Sequence, residues 1–102
     1  MTRYRDRPRD IPYMLAVKQL PCCIAHLHIC RGLVEADHAG ERPLGRKAAD
    51  DTCIPLCRYG HQCRHARAGY FRDFTRAQMR EWCDARIAET RATVAAQFAE
   101  VA

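Results

Sequence analysis

The residues in this sequence best suited to chemistry are an adjacent pair, Asp37-His38, and two histidines four residues apart, His61 and His65. On a helix His61 and His65 share one face and can bind the same metal ion. A strand hairpin ahead of that helix can bring Asp37 to that ion. One carboxylate and two imidazoles leave coordination positions open for water and a phosphate oxygen. His38 follows Asp37, so on a strand its side chain points to the opposite face, and twist at a hairpin end can still aim it at a metal-bound substrate. A neutral imidazole near pH 7 suits a general base that activates water. The plainer alternative is that Asp37 and His38 cap a strand and a turn.

The cysteines add a second theme. There are seven, at positions 22, 23, 30, 53, 57, 63 and 83, and all five histidines lie between residues 26 and 65. An odd number, with no apolar run after the basic N-terminus, argues against a secreted disulfide framework and for a cytoplasmic protein. Mixed Cys and His at short spacing points to metal binding. Free thiols packed in a small core are the competing reading. A variant joins Cys57, His61, Cys63 and His65 in one structural site and leaves no open catalytic metal. Cys53, inside a strand, and Cys83, on the apolar face of the last helix, are expected to be packed.

Elements that can position these residues follow from the pattern. The chain of 102 residues is expected to form one domain over residues 11–102 behind a basic, flexible arm at residues 1–10, with Arg3, Arg5, Arg7 and Arg9 in alternation. Residues 11–20 read as a short helix stopping at Pro21. Residues 22–33 read as a knuckle, 33–38 as a strand, 39–52 as a loop and 53–57 as a second strand, with Pro55 at an edge or hairpin end. A short helix is expected over 61–68, closing near Gly69. Thr75 and Gln78 form a capping box, and Met79, Trp82, Cys83, Ile87, Val94 and Phe98 recur at near-helical spacing, so a long amphipathic helix is expected over 75–100. The fold class is therefore α+β, with a metal core over 22–68. The net charge of +5 suits a polyanionic partner, DNA above all. Arg58, Arg64 and Lys47 are the candidate phosphate contacts, although the two arginines can equally be solvated and Lys47 can pair with Asp50.

Taken together, Val34-Glu-Ala-Asp37-His38-Ala-Gly40, Lys47-Ala-Ala-Asp50, Ile54-Pro-Leu-Cys57, His61 and His65 resemble the HNH, or ββα-metal, endonucleases. The resemblance covers residues 20–72 and is to small phage-type proteins, including recombination-enhancement nucleases. It implies a treble-clef-like ββα-metal core, a phage or prophage source and a hydrolase acting on phosphodiester bonds in DNA. It implies Asp37, His61 and His65 as ligands of a divalent metal (Mg²⁺ or Mn²⁺, with Ni²⁺ or Zn²⁺ as alternatives) and His38 as the base. It also implies a structural zinc held by Cys22 or Cys23 with Cys30, Cys57 and Cys63, for which His26 and His28 are alternatives.

The sequence departs from the family pattern in two places. It contains no Asn, so Thr52 stands nearest the family's middle position, with Asp50 and Asp51 close by. The knuckle's second ligand position holds Gly60, and Cys63 is the expected substitute. Both departures favour an alternative, a zinc-stabilised nucleic-acid-binding or recombination accessory module without hydrolytic activity. A third reading is a structural protein whose zinc only staples a small fold. Other classes find little support. The chain lacks a phosphate-binding loop and a Rossmann fingerprint, has no serine nucleophile and no membrane-spanning stretch.

Overall fold

The computed structural model of the protein describes residues 9–42 and 48–101, with the side chains of 98–101 excepted. The fold is mixed α+β: three α-helices and one two-stranded sheet among the described residues. Helix α1 spans Ile11–Lys18, strand β1 Val34–His38, strand β2 Cys53–Cys57, helix α2 Arg58–Ala66 and helix α3 Arg76–Val101. Helix α2 therefore starts three residues earlier than the sequence pattern suggests, directly off the end of β2.

Local chemistry explains three of the helix boundaries. The Asp10 side chain accepts from the Tyr13 N–H at 3.1 Å and caps α1, and Pro12 occupies the first turn, where its missing N–H costs nothing. Arg9 and Asp10 are thus part of the fold rather than of a flexible arm, while residues 1–8 lie outside the described residues. The capping box at the start of α3 is reciprocal. Gln78 N–H donates to Thr75 Oγ1 at 3.1 Å, and Thr75 N–H donates to Gln78 Oε1 at 2.8 Å. Helix α2 ends on Arg67, which adopts the left-handed conformation with φ 54°.

The two strands pair antiparallel, with Asp37 opposite Ile54 and Glu35 opposite Leu56. Alternation puts Glu35 and Asp37 on one face and Ala36 and His38 on the other. Every residue of β2 is buried. Ile54, Leu56 and Cys57 join Ile24, Phe71, Met79, Cys83 and Ile87 in one core cluster. Cys53 packs into a second cluster with Val17, Leu20 and Val94. Helix α3 supplies apolar residues to both clusters, so it braces the hairpin along its length. Between α1 and β1 the chain makes turns (Ala25 N–H to Cys22 O at 3.0 Å, Leu27 N–H to Ile24 O at 2.9 Å), and Tyr59 N–H donates to Arg31 O at 3.0 Å. These bonds hold the knuckle against the start of α2. No helix of the described residues is long and apolar enough to cross a membrane.

Candidate active site and metal centres

Two side-chain clusters can hold metal ions. The first joins Cys22, His28, Cys30 and Cys57, whose ligand atoms all lie within 4.8 Å of one another. His28 Nε2 is 3.7 Å from Cys22 Sγ, 3.5 Å from Cys30 Sγ and 3.6 Å from Cys57 Sγ. Tetrahedral zinc, with Zn–N about 2.0 Å and Zn–S about 2.3 Å, sets N···S separations of about 3.5 Å. This cluster has the donor set and spacing for zinc. Burial lowers the His28 pKa and so favours the neutral, ligating imidazole. Burial pushes the Cys57 thiol up, but hydrogen bonds from the backbone N–H groups of Gly60, at 3.3 Å, and Arg31 bring it below its ordinary value.

Membership of this cluster corrects one expectation and resolves another. Cys63 is not in it. It lies six residues along α2 from Cys57, about 9 Å further down the helix axis, and packs in the first core cluster. His28 takes the fourth place. Gly60 makes room for it: a Cβ at Gly60 would sit 3.1 Å from His28 Cε1. Of the adjacent pair, Cys22 belongs to the cluster, whereas Cys23 packs against the core and its thiol is pushed up to about 12, chiefly by burial. Cys53 and Cys83 are buried, as expected of packed thiols.

The second cluster joins Asp37, His61 and His65. Asp37 Oδ1 is 3.3 Å from His61 Nε2 and 3.2 Å from His65 Nε2. The end of β1 supplies the carboxylate, and one face of α2 supplies both imidazoles. One carboxylate oxygen and two imidazole nitrogens at this spacing can hold a divalent metal. Glu35 adds a support that the sequence reading did not assign. Its Oε1 accepts from His61 Nδ1 at 2.9 Å, which leaves His61 Nε2 turned to Asp37. That bond, with a second from Arg58 Nε at 3.2 Å, lowers the Glu35 pKa. Strand alternation was the available signal, because residues 35 and 37 share a face.

Arg64 was expected at a phosphate but is turned inward. It lies between the two histidines and forms a two-pronged pair with Asp37, through Nε to Oδ2 and through Nη2 to Oδ1 at 2.8 Å. Its Nη1 also reaches Cys83 Sγ at 3.6 Å. Burial alone would raise the Asp37 pKa, but the bonds from Arg64, His61 and His65 hold the carboxyl well below the usual range. The hydrogen bond with Asp37 raises the His61 pKa. Residues 61, 64 and 65 fall on one helical face, which is the pattern that places Arg64 there. Arg58 is two-thirds exposed and pairs with Glu35. Lys47 lies outside the described residues.

His38 leaves the sheet face opposite Asp37 yet lines the same cavity. This cavity, of about 250 Å³, is bordered by Asp37, His38, Arg42, Ala48, His61 and His65. His38 Nε2 donates to Asp50 Oδ1 at 2.9 Å. Asp50 is fully buried, and its Oδ2 accepts from Asp10 N–H at 2.8 Å and from Arg9 Nε at 3.3 Å. Thr52, which the resemblance sets nearest the middle position and makes a candidate beside His38, instead donates its hydroxyl to Ala49 O at 2.6 Å. Of Thr52, Asp50 and Asp51, it is therefore Asp50 and not Thr52 that holds His38. The reason is local: residues 50–52 form a 3₁₀ turn, which leaves the Asp50 carboxylate on His38 and folds Thr52 back on its own backbone. A carboxylate on Nε2 fixes that nitrogen as a donor and leaves the Nδ1 lone pair as the basic site.

No family model, curated protein or solved structure matches the chain.

Proposed function

We propose that the protein is a metal-dependent DNA endonuclease of the HNH type, with β1, β2 and α2 as its ββα-metal core. One observation carries the reading: a base candidate held by a buried carboxylate, His38–Asp50, lines the same cavity as the Asp37–His61–His65 ligand set. A divalent ion on that set would neutralise charge on the scissile phosphate and on the leaving oxygen. The chain's own residues do the rest. His38 Nδ1 accepts a proton from the attacking water, and Asp50 holds the imidazole in the required tautomer and stabilises its protonated form. Glu35 fixes the His61 ring through Nδ1. Cys22, His28, Cys30 and Cys57 would hold a structural zinc, which would anchor the start of α2 and so the two histidines.

The test is nicking of supercoiled plasmid by zinc-loaded protein with Mg²⁺, Mn²⁺ or Ni²⁺. Metal-dependent nicking by the wild type, lost in Asp37→Ala with zinc content and melting cooperativity unchanged, is the expected result. Absence of nicking in every metal would overturn the reading.

One observation favours a second reading, a zinc-stabilised binding module without hydrolysis. Arg64 already neutralises Asp37 with both prongs of its guanidinium. Metal stoichiometry separates the two: the nuclease takes up one tightly held zinc plus one exchangeable divalent ion, and the binding module takes up zinc alone.

A further inference from the structure

Beside the cavity of the proposed active site lies a larger one, of about 780 Å³, lined by Glu41, Arg42, Arg67, Arg76, Ala77, Met79 and Arg80. Arg42 borders both. The two are joined by backbone as well, since Arg80 Nη2 donates at 2.6 Å to Ala39 O, the residue that follows His38. Four guanidinium groups and one carboxylate therefore border a groove that adjoins the first cavity at Arg42 and runs along the start of α3.

The disposition of these arginines is not what stability alone would select. Arg67 closes α2 at φ 54°, where an L side chain is disfavoured and glycine or asparagine is the usual occupant. Strain at a non-glycine residue points to a use for the side chain. Arg67 spends one donor, Nη1 to Phe74 O at 3.1 Å, which holds its exposed guanidinium at the groove. Its remaining N–H donors are left for a ligand. Arg76 is exposed and makes no ion pair or hydrogen bond through its side chain among the described residues. Arg80 is partly neutralised by Asp84, at 2.8 Å, and serves more to fix the groove to Ala39. Arg67 and Arg76 are the two groups offered outward.

We propose that this groove is a binding track for the sugar–phosphate backbone of a nucleic-acid strand, with Arg67 and Arg76 as its phosphate contacts and Arg42 as the link to the proposed active site. Guanidinium forks match phosphate oxygens in geometry and charge. A groove three times the volume of the adjoining cavity, with cationic groups along its length, fits a strand better than a single anion. The assignment of DNA as the strand rests on the proposed nuclease function.

The test is fluorescence anisotropy of zinc-loaded protein with a labelled DNA duplex, in the absence of added divalent metal and over a range of salt. The Arg67→Gly/Arg76→Ala double variant is compared with Lys18→Ala/Arg72→Ala, which removes the same charge from exposed positions outside the groove. Arg67→Gly relieves the strained backbone, so the variant is expected to fold. Each lost phosphate contact lowers the slope of log K against log salt by about 1. The groove variant is expected to lose about 2 in slope and about tenfold in affinity, and the control to keep the wild-type slope. Equal slopes for the two doubles, an unchanged groove variant, or displacement of the duplex by inorganic phosphate at matched ionic strength would overturn the track. Plasmid nicking by the wild type is scored in parallel. Nicking with an unchanged groove variant removes the track alone, and slope loss without nicking removes the nuclease reading alone.

Discussion

The chemistry turns on which atom of each residue is already occupied. His38 has one ring nitrogen on Asp50, so only Nδ1 remains to take a proton. Asp50→Ala should therefore slow cleavage by on the order of 10²-fold, the low end of what a positioned base contributes. Asp50→Asn, whose side-chain oxygen can still accept from Nε2, should lose far less, and Thr52→Val little. Single-turnover cleavage rates with each variant check this order. Equal losses for Asp50→Asn and Asp50→Ala would point to folding rather than to orientation of the base, since Asp50 also accepts from Asp10 and Arg9. At this scale the sequence was informative about residue type and weak on partners. Asp37, His61 and His65 stand out because a carboxylate and two imidazoles at helical spacing have few other reasons to coincide. Asp50 and Asp51 are indistinguishable in sequence, and only the 3₁₀ turn decides which carboxylate reaches His38.

At the scale of elements, two backbone positions govern the geometry of α2. Gly60 keeps the volume that His28 needs, so in Gly60→Ala the imidazole must shift by a few tenths of an ångström or lose its place among the thiols. Zinc affinity is expected to fall roughly 10–100-fold, the usual effect of disturbing groups around a metal's ligands. Competition with a chromophoric chelator measures it. At the other end of α2, Arg67→Gly should raise stability by roughly 1 kcal/mol by removing the left-handed strain, readable as a higher melting temperature. A gain in stability together with a loss of DNA affinity separates a ligand-contacting arginine from a structural one. Helix α3 was legible in the sequence because its capping box and apolar repeat act locally. The knuckle was legible down to Cys30 and Cys57, but its fourth place was left open among Cys63, His26 and His28, because spacing along the chain does not say which of them the turn brings to Cys57.

For the whole molecule, the question is what holds so short a chain together. Two modest core clusters share β2 and α3, and the knuckle packs against them without a strand or helix of its own. A small core of this kind usually needs a further constraint, and a zinc ion on Cys22, His28, Cys30 and Cys57 would tie residues 22–30 to the start of α2. Removal of that metal by a strong chelator is expected to abolish cooperative thermal unfolding, and zinc should restore it. A second divalent ion should bind to zinc-loaded protein without shifting the fold, because Asp37, His61 and His65 are already fixed by Arg64, Glu35 and the hairpin. Calorimetric titration with Mn²⁺, with His65→Ala as the control, checks this: one site in the wild type and none in the variant. The α+β composition and the division into knuckle, hairpin and long helix could be read from the sequence. The arginine groove could not, because Arg42, Arg67, Arg76 and Arg80 meet only after α2 and α3 are packed.

The central claim is that His38 acts as a base beside a metal held by Asp37, His61 and His65. It is tested most directly by the rate of plasmid nicking for wild type and His38→Ala at equal zinc content and saturating Mg²⁺ or Mn²⁺. The expected result is a loss on the order of 10²–10⁴-fold in the variant, the range for removing a general base, with Mn²⁺ binding unchanged. Equal rates for the two proteins would contradict it.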